Sequence, residues 1–350
     1  MKKRLLGVFL ASVMVVSMAA GCGSADTTAP AEGTEEEAAP EEDTEPAEAA
    51  ANDAELSGIK VAYLTPSLDV PFWRYVKHGV EDEMKTLVPD SEVVVYDSKD
   101  DANTQLSNAQ DAITKQVDAI IISPTDSASC VSVLSIAEEA SIPVVICDIG
   151  TDSGTYASFI STDNEGGAKE LGEYIASLLN DGDTVAQITL NQARINGVLR
   201  KDGFDAGLEA SGKDITDVEF KQMEKVNREE GETFTQDLIT AHPELKAIFC
   251  HSEDPSMGAV SALEAAERTD VLVAAFDCSP EVVEAIKAGT VAGTAAQQPV
   301  VMGRTSAQCV EKILKGEEVE AEIQLETLLV TKDNIDEVYD TLVEVALTDE

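Results

Sequence analysis

Two aspartates occupy matching positions in a pattern that the chain uses twice. Residues 117–148 read VDAIIISPTDSASCVSVLSIAEEASIPVVICD, and residues 245–277 read LKAIFCHSEDPSMGAVSALEAAERTDVLVAAFD. Each copy has an apolar run, a polar turn, a helix-like segment and a second apolar run, which ends at Asp148 or at Asp277. Carboxylates accept hydrogen bonds from hydroxyl groups. Two carboxylates in equivalent places could therefore hold a polar small molecule.

The elements around these aspartates indicate how they would meet. Short apolar runs that alternate with helical patterns predict βαβ units and parallel sheets buried on both faces. Ligands of such sheets bind beyond the carboxyl ends of the strands. We therefore predict an α/β fold of two similar lobes, in which Asp148 and Asp277 point into a shared cleft.

Other side chains near predicted strand ends extend this chemistry. Arg200 follows the apolar run 184–190, and Phe72 and Trp73 follow Pro71, which suits the first turn of a helix. Neighbouring helical positions lie about 100° apart, so we expect one of the two rings to face the cleft. Carboxylates, a guanidinium and an aromatic face together suit a neutral polyhydroxylated ligand, because a ring can cover the C–H face of a sugar.

Composition narrows the function classes. The 350 residues are enough for two domains, and the formal charge of −43 argues against nucleic acid and anionic membrane surfaces as partners. Motifs for dinucleotides, P-loop nucleotides, zinc proteases and serine hydrolases are missing, so we predict no enzyme and no cofactor. The six cysteines have no CxxC spacing and favour buried thiols over a metal site. His251 follows a predicted strand, and a structural role is the favoured interpretation for it.

The N-terminal segment has the features of an export signal. A basic start and a short apolar run over residues 1–21 predict a secretory signal peptide. The sequence AAGC ending at Cys22 resembles the bacterial lipoprotein box, which implies lipidation of Cys22; ordinary cleavage with a free Cys22 is the alternative. Residues 22–57 are rich in Ala, Glu, Thr and Pro and predict a disordered acidic tether.

Several local predictions can be compared with a structure. Asp126 and Asp254 are expected to cap helices, the latter because Pro255 would suit the first helical position. The polar run STDNEGG from Ser161 is expected to cross between lobes before a helix over residues 167–179. One last strand is expected near residues 323–330, before a helix near 333–347.

The motifs from residue 59 to about 332 resemble the type I periplasmic sugar-binding proteins, especially the ribose-binding group. The segments that carry the resemblance, in chain order, are PFW (71–73), VDAIIISPTD (117–126), IPVVICD (142–148), STDNEGG (161–167), RKDGF (200–204), HPELKAIFCHSED (242–254), AFD (275–277) and TAAQQP (294–299). Together they cover nearly all of the predicted folded part in the expected order.

The resemblance implies two Rossmann-like lobes joined by three crossings, near 162–163, 297–298 and 325–326. The N-terminal lobe would hold residues 58–162 and 298–325, and the C-terminal lobe residues 163–297 and 326–350. Ligand would bind between the lobes, and the closed form would meet the permease of an ABC importer. The implied binding positions are Phe72 and Trp73 for stacking, and Asp148, Arg200, Ser252, Asp277 and Gln297 for hydrogen bonds.

Four residues depart from the ribose-binding pattern. Ile149 replaces the Arg after the first Asp, Val70 replaces the Asn before the aromatic pair, Val226 replaces an aromatic, and Ser252 replaces an Asn. These departures leave the ligand open. A different pentose, a hexose, a polyol, a less polar sugar derivative and a signalling molecule of the autoinducer-2 type are all compatible with the sequence.

The leading interpretation is a lipid-anchored binding protein that delivers a sugar-like molecule to an ABC importer from the outer face of the cell membrane. A sensory module of the same fold, which reports a sugar or autoinducer-2 to a membrane receptor or sensor kinase, is the alternative. A LacI-like regulator shares these lobes but needs a basic helix-turn-helix in front. In this chain a signal peptide and an acidic tether are predicted there instead.

Overall fold

The computed structural model describes residues 56–347 of the chain. The predicted signal peptide, Cys22 and the tether up to residue 55 lie outside the described residues, as do residues 348–350. Within residues 56–347, no helix has the length and apolar character needed to cross a bilayer.

Strands and helices alternate along the described chain. The strands are β1 (Lys60–Thr65), β2 (Glu92–Asp97), β3 (Ala119–Ile122), β4 (Val144–Cys147), β5 (Ser158–Thr162), β6 (Thr184–Thr189), β7 (Thr216–Gln222), β8 (Leu245–Cys250), β9 (Leu272–Phe276), β10 (Gly293–Ala296), β11 (Glu322–Leu325) and β12 (Leu328–Thr331). The helices are α1 (Pro71–Leu87), α2 (Ala102–Thr114), α3 (Ser127–Glu139), α4 (Asn164–Leu178), α5 (Ile195–Ala210), α6 (Arg228–Ala241), α7 (Glu253–Ala265), α8 (Pro280–Ala288), α9 (Pro299–Lys315) and α10 (Ile335–Ala346).

The strands form two sheets with equivalent orders, β11-β5-β4-β3-β1-β2 and β12-β10-β9-β8-β6-β7. All pairs in the first sheet are parallel. The second sheet is parallel except for β12, which pairs antiparallel with β10 at one edge. The predicted α/β fold of two lobes with parallel sheets is therefore confirmed.

Both faces of each sheet are buried, which explains the continuous apolar runs. Along β1, Val61 and Tyr63 pack into one core cluster, whereas Ala62 and Leu64 pack into another on the opposite face. The second sheet likewise lies between two clusters. On the first sheet, α1 and α9 approach so closely that a Cβ on Gly79 would overlap the Val300 carbonyl oxygen. Only glycine fits at that contact.

The chain passes between the sheets at one shared edge. It leaves β5 for α4, which packs on the second sheet; it leaves β10 for α9, which packs on the first; and it runs from β11 directly into β12. The hinge strands β5, β11, β10 and β12 are thus the strands nearest this edge in both lobes. The place of a strand in the order of its sheet therefore also indicates how far that strand lies from the hinge.

Three local predictions were wrong in part. The last strand is two strands in different sheets, because the chain changes lobes at residues 326–327. Helix α4 begins at Asn164, since Asp163 Oδ1 accepts a hydrogen bond from Gly166 N (2.9 Å) and caps it within the polar run. Helix α7 begins at Glu253, so Asp254 lies inside its first turn and Ser252 stands at the N-cap position without a side-chain capping bond. The predicted cap at Asp126 is confirmed by its bond from Ser129 N (2.8 Å).

Candidate ligand-binding site

Asp148 and Asp277 have the same backbone geometry at the ends of β4 and β9. Both have positive φ, +69° and +72°, which Asp tolerates better than most residues. The backbone N–H of Asp148 donates to Ile160 O (2.8 Å), and that of Asp277 donates to Ala295 O (3.0 Å) in the next strand towards the hinge. The sequence repeat is thus a structural repeat, and both carboxyl groups line one cavity.

Arg200 is held rigidly beside Asp277. Its Nε donates to Asn164 Oδ1 (2.8 Å), and its Nη1 donates to the His251 carbonyl oxygen (2.5 Å). The guanidinium lies on the Phe276 ring, 3.8 Å from its centroid, and Nη1 is 3.9 Å from Asp277 Oδ2. Burial lowers the pKa of Arg200, while the charges of Asp277 and Asp148 oppose that shift. Arg200 lines the same cavity as the two aspartates, so its guanidinium can donate to a ligand there.

Asp277 is oriented by two side chains from the same lobe edge. Ser252 Oγ donates to its Oδ2 (2.9 Å), and Gln297 Nε2 donates to its Oδ1 (2.5 Å). Gln297 Oε1 in turn accepts from Thr162 Oγ1 (2.6 Å), which lies at the end of β5 in the other sheet. Because Ser252 Oγ binds Asp277, it makes no hydrogen bond to the backbone of α7. The bond between Thr162 and Gln297 links the site to the crossing between the lobes.

The side chain of Asp148 is buried, and one of its carboxylate oxygens has no hydrogen-bond partner among the described residues. Only 7% of the residue is exposed, and its Oδ1 has no donor within residues 56–347. Burial raises the pKa of Asp148 to about 6; the Arg200 charge lowers it, Asp277 raises it and Arg194 lowers it. A buried, unpaired carboxylate is costly, so such groups mark places where a ligand completes the structure. Hydroxyl donors of a ligand would satisfy it.

Phe72 and Trp73 both face the cavity. They lie in the first turn of α1, with ring centroids 4.8 Å apart and planes at 89°. Both line the same cavity as the aspartates. The sequence predicted that one of the two rings faces the cleft, and both residues lie in its lining.

The cavity has a volume of about 600 Å³ and is lined by residues from both lobes. The structure brings all seven predicted binding positions together in its lining. They are Phe72, Trp73, Asp148, Arg200, Ser252, Asp277 and Gln297. Their polar atoms and rings make a site that can bind hydroxyl groups and cover a C–H face, without a reactive nucleophile and base among them.

The family of periplasmic binding protein domains matches this chain over residues 61–318. The chain belongs to this family. The ribose import binding protein RbsB of Salmonella typhimurium is 31% identical over 272 residues, which cover 78% of this chain and 90% of that protein. RbsB of Bacillus subtilis is 27% identical over 281 residues, which cover 79% and 90%. The resemblance found in the sequence motifs is thus confirmed.

Solved structures agree with this assignment. An ABC transporter solute-binding protein from Mycobacterium smegmatis with bound glycerol has a TM-score of 0.74 at 30% identity and covers 80% of this chain and 96% of its own. One from Bacillus halodurans with bound myo-inositol has a TM-score of 0.74 at 26% identity, covering 82% and 99%. These relatives are binding proteins of importers, so the prediction that this periplasmic binding protein is no enzyme is confirmed.

Sequence reasoning missed several residues of the periplasmic binding protein cleft. Asn164 orients Arg200 by accepting a hydrogen bond from its Nε. The sequence analysis assigned the polar run that contains Asn164 to a crossing between the lobes. Arg194 and Asn196 line the cavity, and Asn196 Oδ1 is buried without a partner among the described residues. Glu253 also lines the cavity, and burial next to the Asp277 and Asp254 charges raises its pKa to about 8. The available signal was the place of Glu253 in the polar turn HSED that follows strand β8.

His251 is a structural residue of the second lobe. It is fully buried, its Nδ1 accepts from Leu190 N (3.4 Å), and its Nε2 lies 3.1 Å from Gln187 Oε1. Burial lowers its pKa well below the usual value, and the charges of Arg200 and Lys201 add to that effect. The imidazole is therefore neutral and supports the backbone carbonyl that holds Arg200.

The cysteines of the described chain are buried free thiols. Cys130, Cys147, Cys250, Cys278 and Cys309 form no disulfide in this range. Burial raises the pKa of Cys147 to about 12, so its thiol stays protonated. Within residues 56–347, no group of three or more potential ligands is arranged to hold a metal ion.

Proposed function

We propose that this chain captures a sugar or sugar-like small molecule between its lobes outside the cytoplasm and delivers it to an ABC importer. The observation that supports the proposal is a cluster of buried polar side chains at the hinge end of the cleft. There, Asp148 Oδ1 has no partner among the described residues, Arg200 lies 3.9 Å from Asp277, and Asp277 is held by Ser252 and Gln297. Relatives are named for ribose and apiose import, which supports a sugar as ligand.

Capture requires that ligand favour the closed arrangement of the lobes over the open one. Contacts between lobes are present in this cleft. Arg194 Nη2 donates to the Thr125 carbonyl oxygen (3.2 Å), and Thr162 Oγ1 donates to Gln297 Oε1. Closing removes water from the site and strengthens each charged hydrogen bond, which is worth about 1.5–3 kcal/mol. The closed form is the one that a permease would recognise.

The proposal includes an anchor at the outer face of the cell membrane. Cleavage after residue 21 and lipidation of Cys22 would leave residues 22–57 as a tether between the membrane and the lobes. Acyl labelling of the full chain in bacterial cells tests this step. The label and the membrane association should both be lost in Cys22→Ala and kept in Cys309→Ala, since Cys309 is buried in the fold.

Ligand capture is tested with a thermal-shift screen of pentoses, hexoses, polyols and nucleosides, because a ligand of the folded state raises its stability by mass action. For any compound that binds, Arg200→Ala and Asp277→Ala should each abolish measurable binding in calorimetry. Arg304→Ala and Asp202→Ala are the matched controls away from the cleft. Unchanged affinity in both cleft variants would remove this site assignment.

A further inference from the structure

The Asp, Glu, Lys and Arg side chains that are buried within residues 56–347 all lie in one place. They are Asp148, Arg200, Glu253 and Asp277, and each is at most 9% exposed. All four line the cleft cavity. Three of them are carboxylic acids and only one is a cation. The buried residues of the cleft therefore do not balance their own charge, and unbalanced buried charge is costly.

Arg200 compensates Asp277 better than it compensates Asp148. Its Nη1 lies 3.9 Å from Asp277 Oδ2, and Asp277 also accepts hydrogen bonds from Ser252 and Gln297. Asp148 Oδ1, by contrast, is buried and has no hydrogen-bond partner among the described residues. Burial raises the pKa of Asp148 to about 6, so this carboxyl group is ionised at pH 7. Its negative charge is the one that the cleft leaves incompletely satisfied.

Glu253 adds a third acid to the same lining. Burial, together with the charges of Asp277 and Asp254, raises the pKa of Glu253 to about 8, so it is largely protonated at pH 7. The buried charges at that pH are the carboxylates of Asp148 and Asp277 and the guanidinium of Arg200. Two carboxylates against one guanidinium leave one net negative charge.

The less buried part of the lining does not restore the balance. Its charged residues are three acids and two cations, namely Asp100, Glu224, Asp254, Arg194 and Lys225. Arg194 donates from Nη2 to the Thr125 carbonyl oxygen (3.2 Å), and its positive charge lowers the pKa of Asp100 as well as that of Asp148. Arg194 is thus shared between two carboxylates of the other lobe. Full compensation of Asp148 therefore requires a positive charge from the ligand.

We propose that the ligand is a polyhydroxylated molecule with a protonated amine, that is, an amino sugar, an amino polyol or an amino cyclitol. This inference rests on the proposed function and specifies its ligand class. The ammonium group donates to Asp148 Oδ1 and supplies both the missing donor and the missing charge. A neutral hydroxyl group would supply the donor alone. The hydroxyl groups of the ligand bind Asp277 and Arg200 in the same cavity.

The test compares neutral compounds with their cationic counterparts on the full chain. Affinities are measured by calorimetry at pH 7, with the N-acetyl derivative of each amino sugar as a neutral control. The pairs are D-ribose with D-ribosamine, D-glucose with D-glucosamine and with kanosamine, D-galactose with D-galactosamine, D-mannose with D-mannosamine, D-glucitol with D-glucamine, and scyllo-inositol with scyllo-inosamine. For at least one pair, the amino compound should bind about tenfold more tightly or better than its neutral counterpart, since charged hydrogen bonds are stronger than neutral ones.

Two further measurements place the ammonium group. In Asp148→Asn, the ratio of the two affinities should fall to about threefold or less, whereas in Asp202→Asn, at an exposed position on α5, it should be unchanged. Urea unfolding checks that both variants are folded. In the wild type, the ratio should be larger at pH 7 than at pH 5, because Asp148 is largely protonated at pH 5. The pH series decides the question even if Asp148→Asn binds neither compound.

The outcomes separate this inference from the proposed function. If neutral compounds bind and no amino compound binds more tightly than its counterpart, the cationic ligand class is refuted while sugar capture stands. A high ratio that Asp148→Asn leaves intact, or that is as high at pH 5 as at pH 7, also refutes it, because the ammonium group then lies elsewhere. If no compound of the panel binds, sugar capture and the cationic ligand class are both overturned.

Discussion

Replacing Asp148 by Asn should weaken ligand binding and stabilise the ligand-free protein. The carboxyl group is buried and unpaired, and its pKa is raised from 3.8 to about 6. One pKa unit corresponds to about 1.4 kcal/mol, so the ionised form costs the folded state about 3 kcal/mol. An amide has no charge to bury, and the Asp148→Asn substitution should therefore remove most of this cost.

The sign follows from proton binding. Between pH 3.8 and about 6 the folded state holds a proton at Asp148 that the unfolded state has released, so the free energy of unfolding falls as pH rises. Above pH 6 both states are ionised and the loss is complete. We expect the stability gain of Asp148→Asn over the wild type to be small at pH 4 and to reach about 3 kcal/mol at pH 7.

Urea unfolding of the ligand-free proteins at pH 4, 5, 6 and 7 measures this difference, and calorimetry at pH 7 measures ligand affinity. Affinity should fall by about tenfold to a hundredfold, since charged hydrogen bonds are lost. Asp202→Asn, an exposed position on α5, is the matched control. A variant that is less stable than the wild type at pH 7, or a stability difference that does not change with pH, would refute the reasoning.

Three further predictions follow from the same geometry. Trp73, the single tryptophan, lines the cleft, so ligand should change its emission, and Trp73→Ala should weaken binding more than Trp73→Phe; unchanged emission at saturation would contradict this. Glu253→Gln should stabilise the ligand-free protein more at pH 9 than at pH 5, because burial raises the pKa of Glu253 from 4.5 to about 8. The wild type therefore loses stability as the pH rises from 4.5 to about 8, and the loss is complete at pH 9. Equal effects of the substitution at the two pH values in urea unfolding would count against this prediction. Gly79→Ala should lower the free energy of unfolding by about 1–3 kcal/mol, since its Cβ meets the Val300 carbonyl, whereas Lys85→Ala on the exposed face of α1 should change it little.

The sequence by itself determined the class of fold and the positions of the aspartates. Strand periodicity, apolar runs and turn residues act over a few neighbours, so the repeat predicted βαβ units with Asp148 and Asp277 at strand ends. The strand pattern could not show that residues 322–331 form strands in two sheets, because the sheet that a strand joins depends on partners far away in the sequence.

Only the tertiary structure decided which side chains share an environment. Arg200 meets Asn164, 36 residues away, and Asp277 meets Ser252 and Gln297 from other strand ends. Whether a carboxylate is paired, as in Asp277, or left without a donor, as in Asp148, depends on these distant partners. Local sequence determines which segments form strands, helices and turns. The hydrogen bonds and the burial of the site side chains arise only when segments far apart in the sequence pack together.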